Sequence, residues 1–315
     1  MKKFACIFPG QGSQAVGMAS PFLTDPLSSE IYFRACETID LDMMKLISRG
    51  PEEQLTLTAN AQPAILTTSI AAWVHIEKAF GDEFKPSFMA GHSLGEFSAL
   101  AASGAIGLED AVKLVRKRGE LMQSAVPEGV GAMAALMGGS DDDLAKIIQS
   151  ASGDDILDIA NLNAPGQNVI SGHAAAVNRA VEMSRDFNFK RAVMLQVSAP
   201  FHSRLMALVR AAFGEELRKY SFQNPKFPVV HNVNAEANDD SAIIGELLAK
   251  QIDSPVRWVE SVQLMINEGV EVFIEVGHGN VLQGLVKKIA GRDWNGSILG
   301  VASPGDVSAV IDALK

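Results

Sequence analysis

The chain has 315 residues, of which 47% are hydrophobic and 20% charged, and it carries a formal net charge of −10. That apolar share can bury a sizeable core and excludes a disordered chain, while the acidic balance argues against nucleic acid as the main ligand, because phosphate binding needs a basic face. No stretch approaches the roughly 20 apolar residues of a membrane span.

The start, MKKFACIFPGQG, imitates a secretory leader, but its apolar run FACIF ends at Pro9, short of the roughly 7–15 residues that an h-region needs. Lys3–Phe8 (KFACIF) reads instead as a short buried strand running into a Gly-rich loop, PGQGSQ, at 9–14. Such a loop can cradle a dinucleotide, but GQGSQA lacks the third glycine of G-x-G-x-x-G. The two cysteines, Cys6 and Cys36, have no metal-ligand spacing and are too few for a disulfide framework; reduced thiols and a cytoplasmic location are expected. No metal cluster is apparent.

Residues 60–80 (NAQPAILTTSIAAWVHIEKAF) combine a cap residue, Asn60, an early proline and helical periodicity, predicting a long, largely buried helix. PSFMAGHS (86–93) then reads as a strand and LGEFSALAASG (94–104) as a helix that ends at glycine. Ser93 falls at their junction, inside G-x-S-x-G, where a nucleophile elbow is built. A serine hydroxyl is a weak nucleophile near neutral pH and needs a base within hydrogen-bond reach. A helix start also points backbone N–H groups at a developing oxyanion, that of Leu94 first.

The next helix, LEDAVKLVRKRGELMQSA (108–125), carries Leu108, Ala111, Val112, Val115 and Met122 on one stripe, with Lys113, Arg116, Lys117 and Glu120 opposite. Arg118 lands among the apolar residues. A guanidinium does not lose its charge in a protein, so one that faces inward needs an anionic partner. A structural salt bridge would supply it, and so would a substrate carboxylate held bidentately.

A block from 128 to 197 has another rhythm: strand (GAMAALMG), capped helix (SDDDLAKIIQSAS), two strands joined by a Pro-Gly turn (ILDIANLNAP, QNVISG), helix (HAAAVNRAVEMSRDF) and a closing strand, RAVMLQVS. The order β-α-β-β-α-β is that of a ferredoxin-like unit, read as an insertion between 1–127 and 198–315. Beyond it FPVVHNV, EVFIEVG and GSILGVA alternate with helical stretches, completing a mostly parallel, doubly wound core. The basic clusters at 113–119, 189–193 and 287–292 suit solvated faces, with docking of an acidic partner as the alternative.

Six histidines compete as the base for Ser93. His75 lies inside the long helix, His173 would cap a helix of the insertion, and His231 ends a strand. His92 precedes Ser93 and should point away from it. His202, in the loop SAPFHSRLM, and His278, just past the strand in IEVGHGNVL, remain on equal terms.

Six stretches taken in order, FPGQGSQAVGM, GHSLGEFSAL, RKRGELMQ, NAPGQNVISG, APFHSRLM and SPVRW, resemble the malonyl-CoA–acyl carrier protein transacylase family along nearly the whole chain. The resemblance implies a hydrolase-like α/β core with a mostly parallel sheet and an inserted ferredoxin-like α+β subdomain. It makes His202, in PFHS, the base and demotes His278, where relatives more commonly have proline. It implies a Ser–His pair without a triad carboxylate, the imidazole being oriented by a backbone carbonyl at the position matching Gln251. The backbone N–H of Gln11 becomes the second oxyanion donor beside that of Leu94. Arg118 matches the arginine that binds the malonate carboxylate, and Asn163 a position near the pantetheine path. The implied partners are malonyl-CoA and holo-acyl carrier protein, the reaction is ping-pong through a malonyl-serine, and no cofactor is needed beyond the substrate's own coenzyme A. Phe201 is similar to malonyl-selective relatives. The chain's length, with no ketosynthase or carrier segment attached, leads to the expectation of a discrete enzyme of fatty-acid synthesis. The alternatives are an acyltransferase of a polyketide or malonate decarboxylase system, a serine esterase or thioesterase using His278, and a non-catalytic carrier-binding module.

Overall fold

A computed structural model describes residues 2–39, 41–127, 129–197 and 199–315. Its main sheet has six strands in the order β10-β9-β1-β2-β7-β8. These are β1 (Phe4–Phe8), β2 (Phe88–Gly91), β7 (Val229–Val230), β8 (Ala237–Asn238), β9 (Val272–Val276) and β10 (Ser297–Val301). All pairings are parallel except that of β8 with β7. The α/β class and the mostly parallel core follow the expectation from sequence. β1 lies between β2 and β9 and is buried along its whole length, which is why FACIF is a continuous apolar run with no alternation.

Between β1 and β2 come the short helices α1 (Pro26–Ile39), α2 (Met43–Arg49) and α3 (Glu52–Thr56), then the long α4 (Thr58–Phe80). Asn60 does not cap α4. The helix starts two residues earlier, and the Asn60 side chain donates from Nδ2 to the Gln54 carbonyl. Pro63 consequently lies inside the helix, where it leaves the Ala59 carbonyl without its helical donor. Arg116, on α6 (Leu108–Gln123), fills that role from Nη1 at 3.0 Å. α5 (Gly95–Ala102) follows β2 directly and is almost wholly buried. The 23 residues of α4 carry polar Gln62, Thr67 and Thr68 among the apolar ones; no helix among the described residues is long and apolar enough to cross a membrane.

The second sheet is antiparallel, in the order β4-β5-β3-β6. It comprises β3 (Gly131–Gly138), β4 (Leu157–Ala164), β5 (Gln167–His173) and β6 (Phe189–Met194), with α7 (Asp141–Ser152) and α8 (Ala174–Met183) packed on it. The strand order is the ferredoxin-like one. β6 starts two residues before RAVMLQVS and stops at Met194, where pairing with β3 ends at Ala134. Ser198, the last residue of that predicted strand, and Glu128, the first of the predicted insertion, lie outside the described residues. The small sheet is tied to the core through backbone bonds between Val256 and residues 160 and 162.

The remaining helices are α9 (Ala207–Leu217), α10 (Ile244–Gln251), α11 (Trp258–Asn267), α12 (Val281–Ala290) and α13 (Val307–Leu314). Because the strands of the main sheet run parallel, the loops after β1, β2, β7 and β9 emerge along one edge. That carboxyl edge is where open α/β sheets build their sites.

Candidate active site

The turn between β2 and α5 is set by packing that leaves no room for side chains beside Ser93. A Cβ on Gly91 would sit 1.9 Å from the Gly95 carbonyl, and one on Gly95 would sit 2.1 Å from the Phe8 carbonyl oxygen. Helix, strand and central strand therefore meet through bare backbone. Ser93 itself has φ 51°, in the left-handed region that side chains avoid. Side chains distant in sequence hold its backbone there: its N–H donates to Asn232 Oδ1 at 2.7 Å, and its carbonyl accepts from Nε2 of Gln251, at the end of α10, at 3.0 Å. Asn232 also donates to the Gly91 carbonyl at 2.7 Å. His92 turns the other way, its Nε2–H donating to Asn163 Oδ1 at 2.7 Å and its ring edge-on to Trp258.

Ser93 Oγ lies 2.8 Å from Nε2 of His202, which is 4% exposed and also left-handed, with φ 58°. The other ring nitrogen, Nδ1, donates to the Gln251 backbone carbonyl at 2.8 Å. That bond fixes the tautomer and leaves the Nε2 lone pair facing the hydroxyl. Burial pushes the imidazole pKa down from 6.5 to about 3, with the Arg118 charge adding to the effect. His202 is thus neutral across the ordinary pH range. His278 is half-buried beyond β9 and lines none of the three cavities described below. Of the two histidines left equal by the residues alone, the structure brings His202 to Ser93 and not His278.

Arg118 is 1% exposed, as its place on the helix wheel demands. No carboxylate among the described residues comes within ion-pair distance of it, so the structural salt bridge does not form. Neutral groups take its donors instead: Gln62 Oε1 from Nη1 at 2.9 Å, and from Nη2 both Gln251 Oε1 at 2.8 Å and Ser93 Oγ at 3.0 Å. Nε has no partner among the described residues, and the Phe97 ring packs with its centroid 5.5 Å from the guanidinium. Burial lowers its pKa to about 10, with the charge of Glu96 opposing the shift. It remains a cation, buried and under-bonded, beside the serine hydroxyl.

These groups open on a cavity of about 290 Å³ lined by Gln11, Leu94, Arg118, Met133, Asn161, Phe201 and His202 among others. The backbone N–H groups of Gln11 and Leu94 have no acceptor among the described residues. A second cavity of about 300 Å³ shares Gln11, His92 and Asn161 and continues past Asn163 and Gln167 to Val281 and Leu285. A wider groove of about 900 Å³ along α12, bordered by Lys287, Lys288, Arg292 and Trp294, holds none of the candidate residues. Among the described residues no group of His, Cys, Asp or Glu is placed to hold a metal ion.

Four more residues complete the site: Gln62, Glu96 and Asn232, which the sequence did not single out, and His231, set aside above as the end of a strand. Each is a polar residue in an apolar run (QPAIL, GEFSAL, VVHNV) and each is buried. That contrast is the signal that could have found them.

Residues 5–311 match the acyl transferase domain family. The malonyl CoA-acyl carrier protein transacylase of Bacillus subtilis (strain 168) is 44% identical over 317 aligned positions, covering 100% of this chain and 98% of its own. That of Staphylococcus aureus (strain MSSA476) is 44% identical over 291, covering 92% and 93%. Among solved structures, the transacylase of Coxiella burnetii superposes with a TM-score of 0.95 at 40% identity, over 99% of this chain and 98% of that one. A malonyl-transacylase in complex with a holo type II PKS acyl-carrier protein gives 0.94 at 37% identity, over 99% of each.

Proposed function

The chain belongs to the acyl transferase domain family, and we propose that its activity, malonyl transfer from malonyl-CoA to acyl carrier protein, runs through an ester on Ser93. The observation that carries this reading is the position of Arg118 Nη2, 3.0 Å from the same hydroxyl that faces His202. In a malonyl thioester one methylene separates the carboxylate from the reacting carbonyl. A guanidinium next to the nucleophile can therefore hold the first while the nucleophile attacks the second.

His202 Nε2 takes the Ser93 proton as Oγ adds to the thioester carbonyl. The oxyanion faces the free N–H groups of Gln11 and Leu94, the latter at the start of α5, where the helix dipole favours negative charge. Collapse breaks the C–S bond, the coenzyme A sulfur takes the proton from His202, and malonyl stays on Ser93. In the second half the pantetheine thiol of acyl carrier protein gives its proton to His202 and attacks the ester; Ser93 leaves and is reprotonated. The Gln251 carbonyl supports the imidazole at Nδ1 throughout, in place of a carboxylate. No group beyond the two carriers' own pantetheine thiols is needed, and Asn163 stands along the second cavity where the pantetheine arm would run. We take residues 128–197 as the inserted unit and 1–127 with 198–315 as the core; the insertion walls the cavity through Met133, Asn161 and Leu195. The cytoplasm, where thiols such as Cys6 and Cys36 stay reduced, is the compartment that fits.

Intact-protein mass spectrometry after brief mixing with malonyl-CoA, without acceptor, tests the route. A malonyl-sized increase discharged by holo-acyl carrier protein is expected. Free malonate without an adduct would make the protein a hydrolase. A clear preference for methylmalonyl-CoA would move it to a polyketide setting.

The buried imidazole sets the pH dependence. Protonation of His202 removes the base, so a pKa pushed down to about 3 moves the acid limb of kcat/KM well below the usual 6.5. The rate should stay nearly flat from pH 8 to about pH 5. In Arg118→Ala, assayed with acetyl-CoA, one cause of the shift is gone, and the limb should climb toward 6.5. A wild-type limb at 6.5 or above would show that His202 is not buried as described.

A further inference from the structure

Glu96 lies three residues past Ser93, in the first turn of α5, and is fully buried. A carboxylate leaves water at high cost unless hydrogen bonds replace the lost hydration. Three N–H donors converge on this one: His231 Nδ1 on Oε1 at 2.6 Å, and the Asn232 backbone N–H and Gln251 Nε2 on Oε2 at 2.9 and 2.8 Å. His231 is equally buried; among the described residues its Nε2 has no partner, and its side chain hydrogen-bonds only to Glu96.

Gln251 links this anion to the reacting groups. A side-chain amide has a donating end and an accepting end. Here the NH2 faces Glu96 and the Ser93 carbonyl, and the oxygen faces Arg118 Nη2. Turned over, the amide would set NH2 against the guanidinium and oxygen against the carboxylate. The same residue's backbone carbonyl receives His202 Nδ1–H.

We propose that Glu96 is the positioning residue of this site: clamped by His231, its carboxylate fixes the Gln251 amide in the one sense that presents Arg118 to an acyl carboxylate and keeps His202 aligned on Ser93. Specificity and basicity are thereby set from a single anion that no substrate touches. The proposal rests on the malonyl-transfer reading above.

Glu96→Gln tests it, because the variant keeps the shape but brings an NH2 into a position ringed by donors. Steady-state kcat and KM would be measured with malonyl-CoA and with acetyl-CoA, alongside the thermal midpoint. The malonyl kcat/KM should fall roughly 10- to 100-fold, the scale of one buried hydrogen bond to a charged group. Acetyl transfer should fall less, so the malonyl preference shrinks by about tenfold. If Glu96→Gln does not fold, Gln251→Met carries the test: it removes the amide but keeps the backbone carbonyl under His202, and the same loss of preference is expected. A folded variant with a lowered midpoint but unchanged preference and KM would overturn the proposal, leaving Glu96 a structural residue. A wild-type protein without malonyl preference would instead overturn the functional reading.

Discussion

Ser93→Ala should abolish both the acyl adduct and malonyl transfer, by roughly four orders of magnitude or more, while the protein stays folded. On the proposed covalent route, removing the nucleophile leaves only binding and oxyanion stabilisation, and the losses on that kind of change are of this size. Two interactions disappear with the hydroxyl: His202 Nε2 loses its proton donor and Arg118 Nη2 one acceptor. The elbow itself is held through backbone atoms by Asn232 and Gln251, so the turn does not depend on the hydroxyl. Intact mass, a transfer assay and a thermal midpoint together check the expectation. An adduct that persists in the variant would place the nucleophile elsewhere.

Arg118→Ala should separate the substrates. Each charge-assisted hydrogen bond is worth about 1.5–3 kcal/mol, so loss of a bidentate clamp should cost malonyl transfer roughly 100-fold or more. An acetyl group offers no carboxylate, and in the wild-type protein it leaves the guanidinium without an anion; this is the discrimination that a missing polar partner produces. Acetyl transfer should therefore survive in part in the variant. The Gln62 and Gln251 oxygens both lose a donor, so some stability will be lost as well, and the ratio of the two activities is the informative quantity. Equal loss of both would make Arg118 a structural residue.

Much of the fold was legible because burial pattern and element type agree. FACIF is uniformly apolar and lies in the middle of a parallel sheet, and the stripe on α6 placed Arg118 indoors. The start of α4 was not legible, since the proline that would normally mark a first turn lies inside the helix, where Arg116, from another helix, satisfies the freed carbonyl. β7 falls within FPVVHNV, read as a strand, but its antiparallel partner β8 is two residues long and too short for any periodicity. In the site, Ser93 was signalled by its glycines, whose absence of side chains the packing requires. His202 and His278 were equivalent as residues, because a separation of 109 positions between Ser93 and its partner is bridged by the fold and not by local pattern. Glu96, His231 and Asn232 each stand out as polar residues in apolar runs, but their contacts with one another are made across the sheet edge, so the pattern marks them as buried without pairing them.

Among the described residues only four other than glycine adopt the left-handed backbone, and Ser93 and His202 are two of them. A non-glycine residue there carries roughly 1–2 kcal/mol of steric penalty. Thermostability engineering that relaxes such positions to glycine would be drawn first to the two residues proposed as nucleophile and base. The molecule is in that sense kept short of its own stability optimum by its reaction. Consensus or cavity-filling changes on the far side of the sheet offer gains that do not compete with turnover.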